Sequence, residues 1–101
     1  MPLITAKTSV EITKEKEAVL KEKFGKAIEL INKSESWLMV DFQDKKNLWF
    51  KGTDEDCGII EVDLFGKASD EGYDALTEKI TEIVCSELPI DKSRLYVKQK
   101  K

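Results

Sequence analysis

The sequence contains no histidine, and this absence narrows its chemistry more than any other feature of the composition. It excludes Ser-His-Asp and Cys-His hydrolases, acid–base catalysis by imidazole, and the usual zinc sites that include histidine. A catalyst built from this chain must therefore use a carboxylate, a lysine, a tyrosine, a cysteine or the terminal amine.

Cysteine is scarce as well, with only Cys57 and Cys85. Neither has a second cysteine at the spacing of a metal or redox motif. We expect both to be reduced and partly buried in a cytoplasmic protein, and their positions leave a disulfide bridge open.

Long apolar runs and an excess of one charge are also missing. No stretch has the apolar length that spans a bilayer, and residues 1–7 lack the layout of a secretory signal. The 17 basic and 20 acidic residues leave a net charge of -3, which gives no electrostatic footprint for nucleic acid or membrane. We expect a cytoplasmic protein, with non-classical secretion left open.

The two halves of the chain share one pattern. Residues 3–10 suit a strand, Thr13 can cap an amphipathic helix that ends near Asn32 and Lys33, and residues 37–42 suit a second strand. Gly25 weakens this helix locally, which suggests that another group packs close to its backbone. A shorter strand is predicted at Leu48–Phe50, followed by a turn around Gly52.

The second half repeats this order. Residues 58–65 suit a strand, Ser69 can cap a helix that Pro89 stops, and residues 94–98 suit a final strand. A shift of 57 residues brings Thr13 onto Asp70 and Ile31 onto Leu88. The similarity lies in the pattern more than in identical residues.

The pattern predicts one α/β (α+β) domain over residues 1–101, built from two pseudo-symmetric βαβ units. Right-handed crossovers would lay both helices on one face of a four-stranded mixed sheet. The other face needs cover, so we expect sheet-to-sheet association between copies, aided by short edge strands such as Leu48–Phe50.

Pro2 is a candidate general base. Met1 is expected to be removed because the next residue is small, which leaves a secondary amine at Pro2. An α-amino group titrates well below lysine, and burial beside cations would lower its pKa further. Many chains begin Met-Pro by chance, so this feature alone indicates little.

Several motifs share one register over nearly the whole chain. They are Met1-Pro2 before a strand, Lys33 just past the first helix, Asn47-Leu48-x-Phe50-x-Gly52, Val62-Asp63-Leu64-Phe65-Gly66-Lys67 and Asp91-Lys92-Ser93-Arg94-Leu95-Tyr96-Val97. In these motifs the sequence resembles the macrophage migration inhibitory factor and D-dopachrome tautomerase family, within the tautomerase superfamily.

The resemblance implies a homotrimeric tautomerase of phenylpyruvate-like or dopachrome-like keto and enol acids, with no metal or organic cofactor. Pro2, freed of Met1, would move the proton between carbon and oxygen. Lys33 would contact the anionic substrate, and Tyr96 would come from an adjacent subunit. Phe65 stands where the family usually has isoleucine, whose backbone amide contacts ligand.

The match also breaks at particular positions. Lys98 replaces the family's usual asparagine, which adds charge at the pocket edge and makes Lys98 a further candidate substrate-binding residue. Cys57 lacks the second cysteine of the cytokine's CxxC motif, so dithiol chemistry is not expected. Without the family, Lys33 would be a cation at a helix end and Tyr96 an ordinary strand aromatic.

Two other interpretations stay open at this stage. The chain could be a non-catalytic binding protein, including a secreted cytokine mimic that acts on a host receptor, or a trimer with only a structural role.

Overall fold

The computed structural model describes residues 2–64 and 69–100. Within them, four strands and two α-helices follow one another: β1 (Leu3–Thr8), α1 (Lys14–Ala27), β2 (Met39–Gln43), β3 (Gly58–Asp63), α2 (Asp70–Glu87) and β4 (Leu95–Lys100). Short 3-10 turns lie at Ile28–Ile31, Glu35–Trp37 and Lys92–Arg94.

The four strands form one mixed sheet in the order β2-β1-β3-β4. β1 pairs parallel with β2, and β3 pairs parallel with β4, each pair joined through a helix. The two units meet where β1 and β3 pair antiparallel, with Leu3 opposite Asp63 and Thr8 opposite Gly58. The predicted pair of βαβ units in a four-stranded mixed sheet is confirmed.

One face of the sheet is covered and the other is open. In β1 the buried residues are Ile4, Ala6 and Thr8, and they face the buried residues of β3 across the antiparallel pair. Both helices pack on this face. They contribute Leu20, Phe24, Leu76, Ile80 and Val84 to the core. The alternation follows from the two-residue period of a strand, which sends successive side chains to opposite faces.

The helix starts follow the sequence signals. The Thr13 side chain accepts a hydrogen bond from the Lys16 amide, and the Ser69 side chain accepts one from the Gly72 amide. Each cap satisfies an amide that lacks an intrahelical partner, so both predicted caps are confirmed. None of the helices in residues 2–64 and 69–100 is long and apolar enough to cross a membrane.

The strand predicted at Leu48–Phe50 is wrong within the single chain. Phe50 forms only an isolated bridge with Thr53, because the backbone reverses at Lys51 and Gly52. Both residues have positive φ, 55° and 82°, which is the twist that a tight two-residue turn requires. The turn predicted around Gly52 is therefore present.

The second strand begins later than predicted. Trp37 belongs to the turn Glu35–Trp37, and β2 starts at Met39. The Ser34 side chain accepts a hydrogen bond from the Ser36 amide, so it caps this turn and favours it over an extended start.

An ion triad joins the two helices above the core. Glu87 at the end of α2 receives hydrogen bonds from Lys16 at 3.0 Å and from Lys23 at 2.5 Å, both on α1. The hydrogen bonds from Lys23 and Lys16 lower the pKa of the Glu87 carboxyl below its ordinary value. The ionised form is thus favoured in the folded state.

Glu87→Gln should reduce stability at neutral pH and change its acid dependence. Because folding lowers this pKa, the contribution is complete above the ordinary glutamate pKa of about 4.3 and is lost as the pH falls through the lowered pKa. Melting temperatures of wild type and variant should therefore differ at pH 7 and converge in acid. Glu82→Gln, an exposed change on the same helix, should show no such convergence. Parallel curves for wild type and Glu87→Gln would contradict this.

Candidate active site

Pro2 lies buried immediately before β1. Its carbonyl oxygen accepts a hydrogen bond from the Met39 amide at 2.9 Å, which joins it to the start of β2. This bond fixes Pro2 at the amino ends of the two neighbouring parallel strands. Within a chain, proline has no amide hydrogen, so Pro2 has no backbone donor that needs a partner in the sheet.

Lys33 follows the end of the first helical segment and is half-buried. Asn32 adopts the left-handed conformation with φ of 60°, and the amides of Asn32 and Lys33 donate to the carbonyls of Glu29 and Ile28. This arrangement closes the helix end in the manner of a Schellman motif. The left-handed residue therefore sets the direction in which the chain leaves toward β2, and with it the position of Lys33.

The segment 34–38 connects Lys33 to Met39, and so to the strand start that holds Pro2. The Glu35 side chain packs against Gly25 of α1, where an added Cβ would collide with its carboxylate. This contact is the close approach predicted at Gly25. Lys33 and Pro2 therefore lie toward the same end of the sheet, as a site at the amino ends of β1 and β2 requires.

Tyr96 lies at the opposite end of the sheet. Ile59 of β3 pairs with both Lys7 and Tyr96, so Tyr96 is two strands from Lys7. Pro2 precedes Lys7 by five residues (7 − 2). At about 3.3 Å per residue and about 4.8 Å per strand, the Cα atoms of Pro2 and Tyr96 are about 19 Å apart in one chain. One subunit therefore does not bring these two residues together.

The surroundings of Tyr96 are apolar and exposed. Its side chain is 55% exposed, and that of Trp49 is 72% exposed. They share a hollow of about 160 Å³, lined by Leu48, Trp49, Phe50, Gly58, Ile59 and Tyr96. Exposed aromatic side chains grouped around a hollow are typical of contact surfaces.

Lys98 lies two residues after Tyr96 on β4 and is exposed. The two residues share the open face of the sheet because strand side chains alternate with a period of two. The remaining predicted site residue, Phe65, lies outside the described residues.

Two exposed apolar residues near Pro2 were not singled out as site residues by the sequence analysis. Trp37 is 69% exposed and Met39 is 54% exposed, on either side of the point where β2 begins. The sequence offers one signal for Trp37. Ser34 before Glu35 is a capping pattern, which indicates a turn and so places Trp37 outside the strand.

The described residues include no cluster of three or more histidine, cysteine, aspartate or glutamate side chains that could hold a metal ion.

A family model, macrophage migration inhibitory factor (MIF), matches residues 1–100. The chain belongs to the MIF family. The match extends over both βαβ units, so the resemblance carried by separate motifs is confirmed for the domain as a whole. A search of curated proteins gives no match.

Solved structures of MIF-family proteins have the same fold. MIF2 of Leishmania major is 26% identical, with a TM-score of 0.93 over 99% of this chain and 87% of that chain. The MIF homologue of Prochlorococcus marinus is 24% identical, with a TM-score of 0.88 over 97% and 86%. A fused 4-OT symmetric trimer is 16% identical, with a TM-score of 0.86 over 98% and 84%. The fold is that of the tautomerase superfamily.

Asn32→Val should lower the free energy of unfolding by about 1–2 kcal/mol, because a β-branched side chain opposes the left-handed backbone before Lys33. Asn32→Gly should avoid this steric penalty, since glycine adopts positive φ readily. Urea unfolding measures both, and Asn47→Val, at an exposed asparagine without positive φ, is the matched control. Equal effects of the valine change at the two positions would contradict the assigned role of Asn32.

Proposed function

We propose that the protein is a keto–enol tautomerase of phenylpyruvate-like or dopachrome-like acids, with Pro2 as the general base once Met1 is removed. The observation that carries the proposal is the burial of Pro2 at the amino end of β1, with Lys33 toward the same end of the sheet. Membership of the MIF family supports the same chemistry.

The free Pro2 amine has the properties that proton abstraction requires. Removal of Met1 would leave a secondary amine at Pro2, and an α-amino group has an ordinary pKa of about 7.7–8.0, so a neutral fraction is available near neutral pH. The amine takes a proton from the carbon next to the keto group, and the electrons of that C–H bond form a C=C bond. The carbonyl electrons move to oxygen as an enolate, and the proton then passes from the ammonium to that oxygen. The reverse sequence returns the enol to the keto acid.

Lys33 supplies the positive charge. The substrate carboxylate and the developing enolate are both anionic, and a fixed cation stabilises negative charge best in a site that excludes water. The Lys33 ammonium would bind the carboxylate, which orients the substrate carbon toward Pro2. A backbone amide at Phe65 is the further proposed contact with the substrate.

The site is completed by a second copy of the chain. Tyr96 is about 19 Å from Pro2 within one subunit, by the sheet spacing given above, so only Tyr96 of the partner subunit would reach it. Contact between two different ends of the sheet is head-to-tail, and head-to-tail contacts form a closed ring when their rotation closes. We propose a homotrimer; a structural neighbour of the same fold is a symmetric trimer.

The role of Pro2 is tested with protein whose free amino terminus has been verified by intact mass. Loss of the phenylpyruvate enol absorbance measures ketonisation. Pro2→Ala should lower kcat/KM by about 100-fold or more, the usual scale of a positioned general base. Protein that retains Met1 should be inactive, because its Pro2 nitrogen is an amide.

Pro89→Ala is the matched control, at an exposed proline just after α2. It should leave kcat/KM unchanged. The proposed function is refuted if protein with a free Pro2 does not turn over the enol, or if retention of Met1 leaves the rate unaltered.

A further inference from the structure

Lys98 forms no ion pair in the described part of a single subunit. Its strand neighbour across the sheet is Glu61 of β3. The Glu61 carboxylate, however, pairs with the Lys7 ammonium at 2.9 Å, on the other side of β3. No ion pair between this carboxylate and Lys98 is found among the described residues, and the Lys98 side chain is exposed on the open face.

The proposed function changes the surroundings of this lysine. When Tyr96 of the partner subunit reaches Pro2, Lys98 of the partner subunit arrives with it. Their Cα atoms are two residues apart, about 6.6 Å, on one strand and one face. Lysine carries its charge on a long flexible stem, so its ammonium can cover that separation.

A site closed in this way contains two ammonium groups, Lys33 and Lys98 of the partner subunit. A substrate with one carboxylate and one developing enolate provides the negative charge that the first ammonium, that of Lys33, requires. Beside the second, Glu61 of the same subunit already pairs with Lys7, so these three side chains keep one excess positive charge, which is costly to remove from water. A second carboxylate on the substrate removes this cost and adds an attraction that a monoanion lacks.

We propose, resting on the proposed function, that the preferred substrates are dicarboxylic keto and enol acids, and that Lys98 of the partner subunit selects them. Lys33 binds the carboxylate next to the reacting carbonyl, and Lys98 binds the distal one. Lys98 is a specificity residue in this arrangement, while Pro2 performs the same proton transfer on either class of acid.

The experiment compares two enols, those of phenylpyruvate (one carboxylate) and oxaloacetate (two carboxylates), using protein with a verified free Pro2. Lys98→Gln should raise KM for the oxaloacetate enol about tenfold, as loss of a close charge pair predicts, with kcat nearly unchanged. For the phenylpyruvate enol, kcat/KM should not fall, because the variant removes a charge that this acid leaves unbalanced. Added salt should weaken the dicarboxylate more than the monocarboxylate.

Three further variants separate selection of the dicarboxylate by Lys98 from a general effect of positive charge on anionic substrates. Lys98→Arg should retain the preference for the dicarboxylate, since it keeps the charge. Lys33→Gln should weaken both acids. Lys79→Gln, an exposed change on α2, should affect neither.

The outcomes distinguish the two levels of the proposal. If neither enol is turned over, the proposed function fails. If the phenylpyruvate enol is turned over but Lys98→Gln lowers both acids alike, or leaves the oxaloacetate enol unaffected, the dicarboxylate preference is refuted while the tautomerase stands.

Discussion

β1 and β3 pair antiparallel at the centre of the sheet, and this pairing joins the two βαβ units into one domain. It aligns the buried residues of both strands on the face that the helices cover, so a single core serves both units. Because the pairing is antiparallel, the strands of the two units run in opposite directions. The amino end of β1, where Pro2 lies, is therefore far from the amino end of β4, where Tyr96 lies.

Under the proposed function, this arrangement makes the chemistry of the site depend on assembly. The amine and the nearby cation belong to one end of a subunit, and the aromatic group with Lys98 belongs to the other. Both ends carry exposed apolar side chains, Trp37 and Met39 near Pro2 and Trp49 beside Tyr96. A 101-residue chain buries only part of its apolar surface by itself. Contact between copies would cover these exposed side chains, so the same contact would contribute to both stability and function.

The strongly periodic parts of the chain could be predicted from the sequence. Both helices, their caps at Thr13 and Ser69, and the four strands follow from local patterns that tertiary contacts reinforce. The strand at Leu48–Phe50 could not, because an extended segment becomes a strand only beside a partner, and here the chain reverses at Gly52. The separation of Pro2 from Tyr96 depends on strand order, which no local pattern encodes. Likewise, the register sets Glu61 opposite Lys98, yet among the described residues Glu61 pairs with the diagonal neighbour Lys7, and no local pattern encodes that choice.

The central claim, a site shared between subunits, is tested most directly by mixing two variants, each of which lacks one half of the proposed site. Pro2→Ala and Tyr96→Ala are unfolded together, refolded as mixed assemblies, and assayed for ketonisation of the phenylpyruvate enol. If each site takes its proline from one subunit and its tyrosine from the next, random mixing should restore about one quarter of the wild-type sites in a ring. No activity above that of the separate variants, in assemblies shown to be mixed, would contradict the account.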